Sequence, residues 1–172
     1  GRAALKIDLD DNWTVDAGII AQDQRSHGSS GYDPLVGDLE VQHFLPEHGH
    51  DRFAQASLTV QGKIGNFDIT YAEAYMDRKL DTAADYTDYA EAYDQLYAGS
   101  GGVAGYFYFS NDAGDPISSQ QLIIGADHFT KRSHELRIAS PSTDRLRFVA
   151  GVFEQRQTHF IHQDYQVAGL AT

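Results

Sequence analysis

The chain has 172 residues, enough for one domain of ordinary size, and its formal net charge is −12. This charge argues against a nucleic-acid partner, because binding a phosphate backbone needs a basic surface. The chain has no cysteine, which excludes disulfides and cysteine-based metal sites or nucleophiles. It also has no run of 18 apolar residues, which excludes a transmembrane helix. The mean hydropathy of −0.44 still allows membrane β-strands, in which every second residue faces a polar interior.

Alternating apolar and polar residues predict four strands in the first half of the chain. Turn-forming residues join them in pairs, at Asp10-Asp11-Asn12 and at Gly65-Asn66. A long polar loop, residues 25–50, separates the two pairs. The four predicted strands are residues 3–9, 13–24, 52–63 and 67–77.

A long insertion, residues 80–130, follows the fourth strand. Its first part carries tyrosines at helical spacing, which predicts a short helix with the rings along one face. Further on, residues 103–109 and 121–126 could pair as a hairpin around a turn at 111–116.

The last part of the chain, residues 133–160, reads as a hairpin of two long strands. Leu136 and Ile138 lie on one face of the first strand, opposite Glu135 and Arg137. The turn is residues 141–144. The second strand begins with Leu146, Phe148, Ala150 and Val152 on one face.

The connections alternate in length along the chain. Tight turns near Asp11, Gly65 and Ser142 alternate with long loops, and all four prolines fall in turns or loops. Short turns on one rim and long loops on the other are typical of outer-membrane barrels. We therefore expect an all-β fold of antiparallel transmembrane β-barrel strands, forming three or four hairpins of a larger barrel with long extracellular loops.

The final hairpin resembles the central barrel hairpin of TonB-dependent outer-membrane receptors. In that family a Glu-Leu-Arg strand is followed by a Leu-x-Trp-x-x-Gly-x-Phe/Tyr strand, and Phe148 stands here where the family has Trp. The segment FDITYAEAYMDRKLD also looks like a receptor strand that leads into an extracellular loop. The matching positions of the hairpin are Glu135, Leu136, Arg137, Leu146, Phe148, Gly151 and Phe153.

The resemblance implies a bacterial outer-membrane location and a transport function. Residues 1–172 would be part of a receptor barrel of about 22 strands, without the plug domain through which such receptors engage TonB. The implied partners are outer-membrane lipid, the TonB complex through that plug, and a small-molecule or oligosaccharide ligand. The imported nutrient would be an iron–siderophore complex, a corrinoid or an oligosaccharide. No enzymatic activity and no cofactor are expected.

Two other functions remain open at the level of sequence. The chain fits the length of a complete eight-stranded outer-membrane barrel acting as an anchor or adhesin, if residues 103–109 and 121–126 both span the membrane. It could also be a soluble all-β carbohydrate-binding module with a tyrosine platform.

The candidate ligand-binding residues are the tyrosines of the insertion, because an aromatic ring with a hydroxyl group suits stacking and hydrogen bonding. No metal site is assigned, and His43, His48 and His50, with Glu47 and Asp51, are only weak candidates. Ion pairs are expected on the interior face, among Asp16, Asp68, Glu135, Arg137 and Arg147. The candidate tyrosines are Tyr86, Tyr89, Tyr93, Tyr97, Tyr106 and Tyr108.

Overall fold

The computed structural model of the chain describes residues 1–28, 31–89, 92, 96, 99, 109–118 and 120–170. The fold is all-β, as predicted, with one antiparallel sheet of six strands in the order β1-β2-β3-β4-β7-β8 and a second sheet that pairs β5 with β6. The strands are β1 (Arg2–Asp8), β2 (Thr14–His27), β3 (His48–Ile64), β4 (Phe67–Asp85), β5 (Phe109–Ser110), β6 (Pro116–Ile117), β7 (Gln121–Ala139) and β8 (Val149–Val167).

The chain divides into two compact units, and several strands contribute residues to both. The first unit contains residues 1–23, 51–79 and 127–160. The second contains residues 24–50, 80–126 and 161–172. The three predicted tight turns all belong to the first unit.

Side-chain and backbone hydrogen bonds shape the first of these turns. The Asp10 carboxylate accepts the N–H groups of Asn12 at 2.7 Å and Trp13 at 2.9 Å, as an Asx-turn does. The N–H of Leu9 donates to the Trp13 carbonyl at 2.8 Å and closes the hairpin. The predicted turn near Asp11 is therefore confirmed.

The second and third turns differ in length. Residues 65–66 alone join β3 to β4, and Gly65 has φ +61°, a conformation that favours glycine in two-residue hairpins. The third connection, residues 140–148, contains a turn in which the Asp144 N–H donates to the Pro141 carbonyl at 3.2 Å. Ser140 closes it, because its N–H donates to the Phe148 carbonyl at 3.0 Å and its hydroxyl accepts the Phe148 N–H at 2.9 Å.

Apolar side chains share one face of the sheet in the first unit. The register of β1 and β2 places Leu5 opposite Ala17 and Ile7 opposite Val15. Residues directly opposite each other point to the same side, so these four side chains form a stripe. Trp13 continues it and packs over Gly62 of β3, where an added Cβ would collide with the indole ring. We call these six residues the apolar stripe.

This stripe is only partly covered by protein within the described ranges, since Trp13, Val15 and Ala17 are half-buried. Leu5 is 59% exposed and Ile7 is 43% exposed, although both are large apolar residues. The large or aliphatic apolar residues that are buried in the described part of the chain are Ala83 and Ile123, at 4% and 8% exposure.

The opposite face of the first unit carries charged residues close to one another. Of the ion pairs predicted among Asp16, Asp68, Glu135, Arg137 and Arg147, the structure shows the one between Glu135 and Arg137, whereas Asp16 and Asp68 have lysine neighbours. Lys6 stands opposite Asp16 in the register of β1 and β2. Lys63 Nζ lies 3.8 Å from Asp68, and Arg137 Nε lies 3.0 Å from Glu135. The structure therefore brings four of the five predicted interior charges to opposite-charge neighbours.

Several predicted boundaries were wrong, because the strands extend beyond the regions of clear alternation. Asp85 still belongs to β4, and β7 begins at Gln121, so the insertion is shorter than residues 80–130. Once both faces of a strand are polar, the two-residue pattern disappears while the backbone ladder continues. Conversely, Leu146 and Phe148 precede β8, which begins at Val149.

The predicted hairpin of residues 103–109 with 121–126 was also wrong. Residues 121–126 form the beginning of β7, whose neighbours are β4 and β8. The turn at 111–116 does exist, but it joins Phe109–Ser110 to Pro116–Ile117. Residues 103–108 lie outside the described residues.

Candidate ligand-binding site

Asp85, the last residue of β4, connects two other segments of the second unit through its carboxylate. Oδ2 accepts the N–H groups of Phe44 at 2.7 Å and Leu45 at 2.9 Å. Oδ1 accepts the N–H of Thr87 at 3.0 Å and its hydroxyl at 2.6 Å. The backbone N–H of Asp85 in turn donates to Glu47 Oε1 at 2.9 Å. One side chain therefore attaches the segment before β3 to the residues that follow β4.

Thr87 extends this network to β7. Its side chain is almost fully buried, at 1% exposure, and its hydroxyl accepts the N–H of Gln121 at 3.2 Å. The Tyr86 N–H donates to the carbonyl of Gln121 at 2.8 Å. We call Asp85, Thr87 and Gln121, with the groups they bind, the Asp85 hub.

The hub controls the acidity of Asp85. Burial would raise the pKa of this carboxyl, but the hydrogen bonds from Thr87, Leu45 and Phe44 favour the charged form, and the pKa lies below its ordinary value. The carboxylate is therefore negatively charged at neutral pH, when its four hydrogen bonds are strongest.

Three tyrosines form an aromatic cluster beside the hub. The rings of Tyr86 and Tyr89 are stacked with centroids 4.4 Å apart. Tyr165 of β8 meets the Tyr86 ring edge-on, with centroids 6.0 Å apart. Tyr89 is 46% exposed and Tyr165 is 58% exposed, so both present ring surface to solvent. Exposed, ordered aromatic rings suit stacking on a ligand.

The structure describes two of the six predicted tyrosines and brings them together. Tyr86 and Tyr89 stack as the helical spacing predicts, and residues 87–89, 92 and 96 are helical. Tyr93, Tyr97, Tyr106 and Tyr108 lie outside the described residues. Sequence reasoning missed Tyr165, which lies in β8 and is separated from the insertion by the whole of β7, and no local pattern indicated that it joins the cluster.

The predicted histidine group does not converge. His43 Nε2 lies 3.4 Å from Glu47 Oε2, whereas His48 is the exposed first residue of β3. Within the described ranges, no three His, Asp or Glu side chains form a group that could hold a metal ion. Two of the weak candidates are engaged elsewhere, because Glu47 accepts the Asp85 N–H and Asp51 forms a two-point ion pair with Arg78.

A second polar network, in the first unit, was not predicted. Glu73 Oε1 accepts a hydrogen bond from Arg132 at 3.1 Å, and Glu73 Oε2 accepts one from the Tyr71 hydroxyl at 3.2 Å. His134 Nδ1 lies 2.8 Å from that hydroxyl. In the sequence, Glu73 falls on the same face of its strand as the apolar residues. This was the only signal of the network, because a carboxylate on an apolar face needs partners.

A cavity of about 390 Å³ also lies in the second unit. Apolar and uncharged polar residues line it: Leu45, Ser118, Gln120, Leu122, Gln166, Val167 and Ala168. This volume is in the range of small-molecule binding sites.

No protein-family model matches the chain, and a search of curated proteins found no similar sequence. Among the described residues, no helix is long and apolar enough to cross a lipid bilayer.

Proposed function

We propose that this chain is part of the barrel of a TonB-dependent outer-membrane receptor and that it imports a scarce nutrient. The observation that carries the proposal is the exposed apolar stripe on a sheet with almost no core in its described residues. In β1 and β2, apolar side chains on one face and Lys6 opposite Asp16 on the other match the pattern of a strand with lipid on one side and a polar interior on the other.

The strand lengths and connections support the same assignment. β3, β4, β7 and β8 contain 17 to 19 residues each, whereas a tilted strand needs only about 9–11 residues to cross a bilayer. Long strands that continue beyond the lipid, and tight turns that alternate with long connections, are features of large outer-membrane barrels.

The strand order supports a barrel larger than this chain. β1 and β8 are the two ends of the order in the six-stranded sheet. A barrel removes such edges by closure, so these strands would pair with further strands. The complete eight-stranded barrel has less support, because residues 121–126, which would have to be a separate spanning strand, belong to β7.

In this proposal the first unit lies in the bilayer and the second unit captures the ligand. The second unit contains the tyrosine cluster and the cavity, whereas the first contains the apolar stripe. Energy for import would come from the TonB complex, as the resemblance implies.

The test is uptake by the source bacterium after in-frame removal of the codons for these 172 residues. We expect accumulation of one class of iron–siderophore complex, corrinoid or oligosaccharide to be lost, and the same uptake in the parent strain to require an active TonB complex. If uptake of all three classes is unchanged, or if the affected uptake is independent of TonB, the proposed function is wrong.

A further inference from the structure

The cavity of the second unit has walls that the Asp85 hub holds in place. Leu45, one lining residue, donates its N–H to the Asp85 carboxylate. Gln120 and Leu122 flank Gln121, whose N–H is bound by the buried Thr87 hydroxyl. Walls that are ordered before a ligand arrives reduce the entropy lost on binding.

The lining has a definite chemical character. Leu45, Leu122 and Val167 provide apolar contact surface. The amides of Gln120 and Gln166 and the hydroxyl of Ser118 both donate and accept hydrogen bonds. None of the lining residues that the structure describes is ionisable, so among these residues a charged ligand would lose its hydration without gaining an ion pair.

The electrostatic surroundings disfavour anions further. The sequence ranges of the second unit contain twelve acidic residues and one basic residue, Arg25, which gives −11 of the chain's net charge of −12. A field of one sign over a surface repels ligands of the same sign. The cavity therefore combines an uncharged lining with a negative environment.

We propose that this cavity binds an uncharged, partly apolar small molecule that carries hydroxyl groups, such as a glycoside. The apolar part contacts the leucine and valine side chains, and the hydroxyl groups exchange hydrogen bonds with the two glutamines and Ser118. The physiological role of this site, although not the binding itself, rests on the proposed function.

The test uses two soluble probes that differ in one group, 4-nitrophenyl glucoside and 4-nitrophenyl glucuronide. The second replaces a CH₂OH group by a carboxylate. Equilibrium dialysis against the full chain in a non-ionic, non-glycosidic detergent is expected to show binding of the glucoside at least about tenfold tighter at low salt, a difference of about 1.4 kcal/mol. Raising the salt to about 0.5 M should narrow this ratio, since it screens the negative field.

A matched pair of variants tests whether the probe binds in the cavity. Leu122→Trp fills the cavity and should weaken glucoside binding at least about tenfold. Leu35→Trp makes the same change at a residue of the second unit that is 95% exposed, and it should bind like the parent chain. Far-UV circular dichroism of both variants, identical to that of the parent, establishes that the comparison is between folded chains.

The inference is overturned if neither probe binds, if both bind equally at low salt, or if Leu122→Trp binds the glucoside as well as Leu35→Trp does. Failure of the proposed function is a separate result. If the chain binds the glucoside in this cavity but uptake in the source bacterium does not depend on the chain, the binding site is supported and the transport role is wrong.

Discussion

Asp85 shows how one residue determines the position of the candidate site. Its carboxylate accepts four hydrogen bonds from two segments that are distant from each other in sequence. The alternation ended the fourth predicted strand at residue 77, so Asp85 fell in the predicted insertion rather than at the end of a strand. Its contact with Phe44 and Leu45 was not visible either, because nothing local indicates which loop approaches a strand end.

The first prediction concerns the strength of this attachment. Asp85→Asn keeps the size of the side chain but removes its charge and places a donor against the N–H groups that it binds. Hydrogen bonds to a charged group contribute about 1.5–3 kcal/mol each. We therefore expect amide hydrogen exchange at Phe44 and Leu45 to accelerate by about ten- to a hundredfold.

Asp88→Asn is the matched control, because it makes the same change at an exposed residue of the helical turn that follows β4. Exchange at Phe44 and Leu45 should be unchanged in this variant. Equal acceleration in both variants would mean that the loss of one negative charge, rather than the loss of the hub, is responsible.

The second prediction concerns the pH dependence of the protection of the Phe44 and Leu45 amides from hydrogen exchange. The pKa of Asp85 is lower in the folded chain than the value of about 3.9 for an unfolded aspartate. Its contribution to stability is therefore fully present above about pH 4 and is lost as the pH falls through the lowered folded value. Protection factors at Phe44 and Leu45 should be constant from pH 7 to about pH 5 and should decrease below about pH 4.

In Asp85→Asn this acid transition should be absent. A decrease between pH 7 and pH 5 in the parent chain would show that a group other than Asp85 controls the protection. That result would contradict the assignment to Asp85.

At the scale of elements, period-two alternation located the strands where one face is apolar and the other polar. It failed where both faces are polar, so β4 and β7 are longer than predicted. It also placed Leu146 and Phe148 in a strand that begins at Val149. The packing of Trp13 over Gly62 joins two strands from different hairpins, and a single sequence contains no signal for that register.

The third prediction tests this packing. Gly62→Ala adds a methyl group where the indole of Trp13 lies, so the ring must move away. Overpacking of this kind costs about 1–3 kcal/mol. We expect lower stability in urea unfolding and a shift of the fluorescence emission of Trp13, the only tryptophan.

Gly99→Ala is the control, because the added methyl group meets no atom of the described residues within 4 Å. Its emission spectrum and unfolding midpoint should match those of the parent. If Gly62→Ala behaves in the same way, Trp13 does not pack over β3.

At the scale of the whole molecule, composition and turn spacing were sufficient to predict an all-β chain of antiparallel hairpins. They were not sufficient to predict the site, because the Asp85 hub, the tyrosine cluster and the cavity are each assembled from segments far apart in sequence. Tyr165 illustrates the difference, since it joins Tyr86 only through the pairing of β8 with β7 and of β7 with β4.

The central claim is that lipid covers the apolar stripe, and the absence of cysteine from the chain makes a direct measurement simple. Single cysteines at Thr14, Val15, Asp16 and Ala17 would each carry a spin label in the full chain reconstituted into bilayers. Val15 and Ala17 should be accessible to oxygen, which concentrates in lipid, and protected from a water-soluble nickel chelate. Thr14 and Asp16 should show the reverse. Equal access of the nickel chelate to all four positions would contradict the claim.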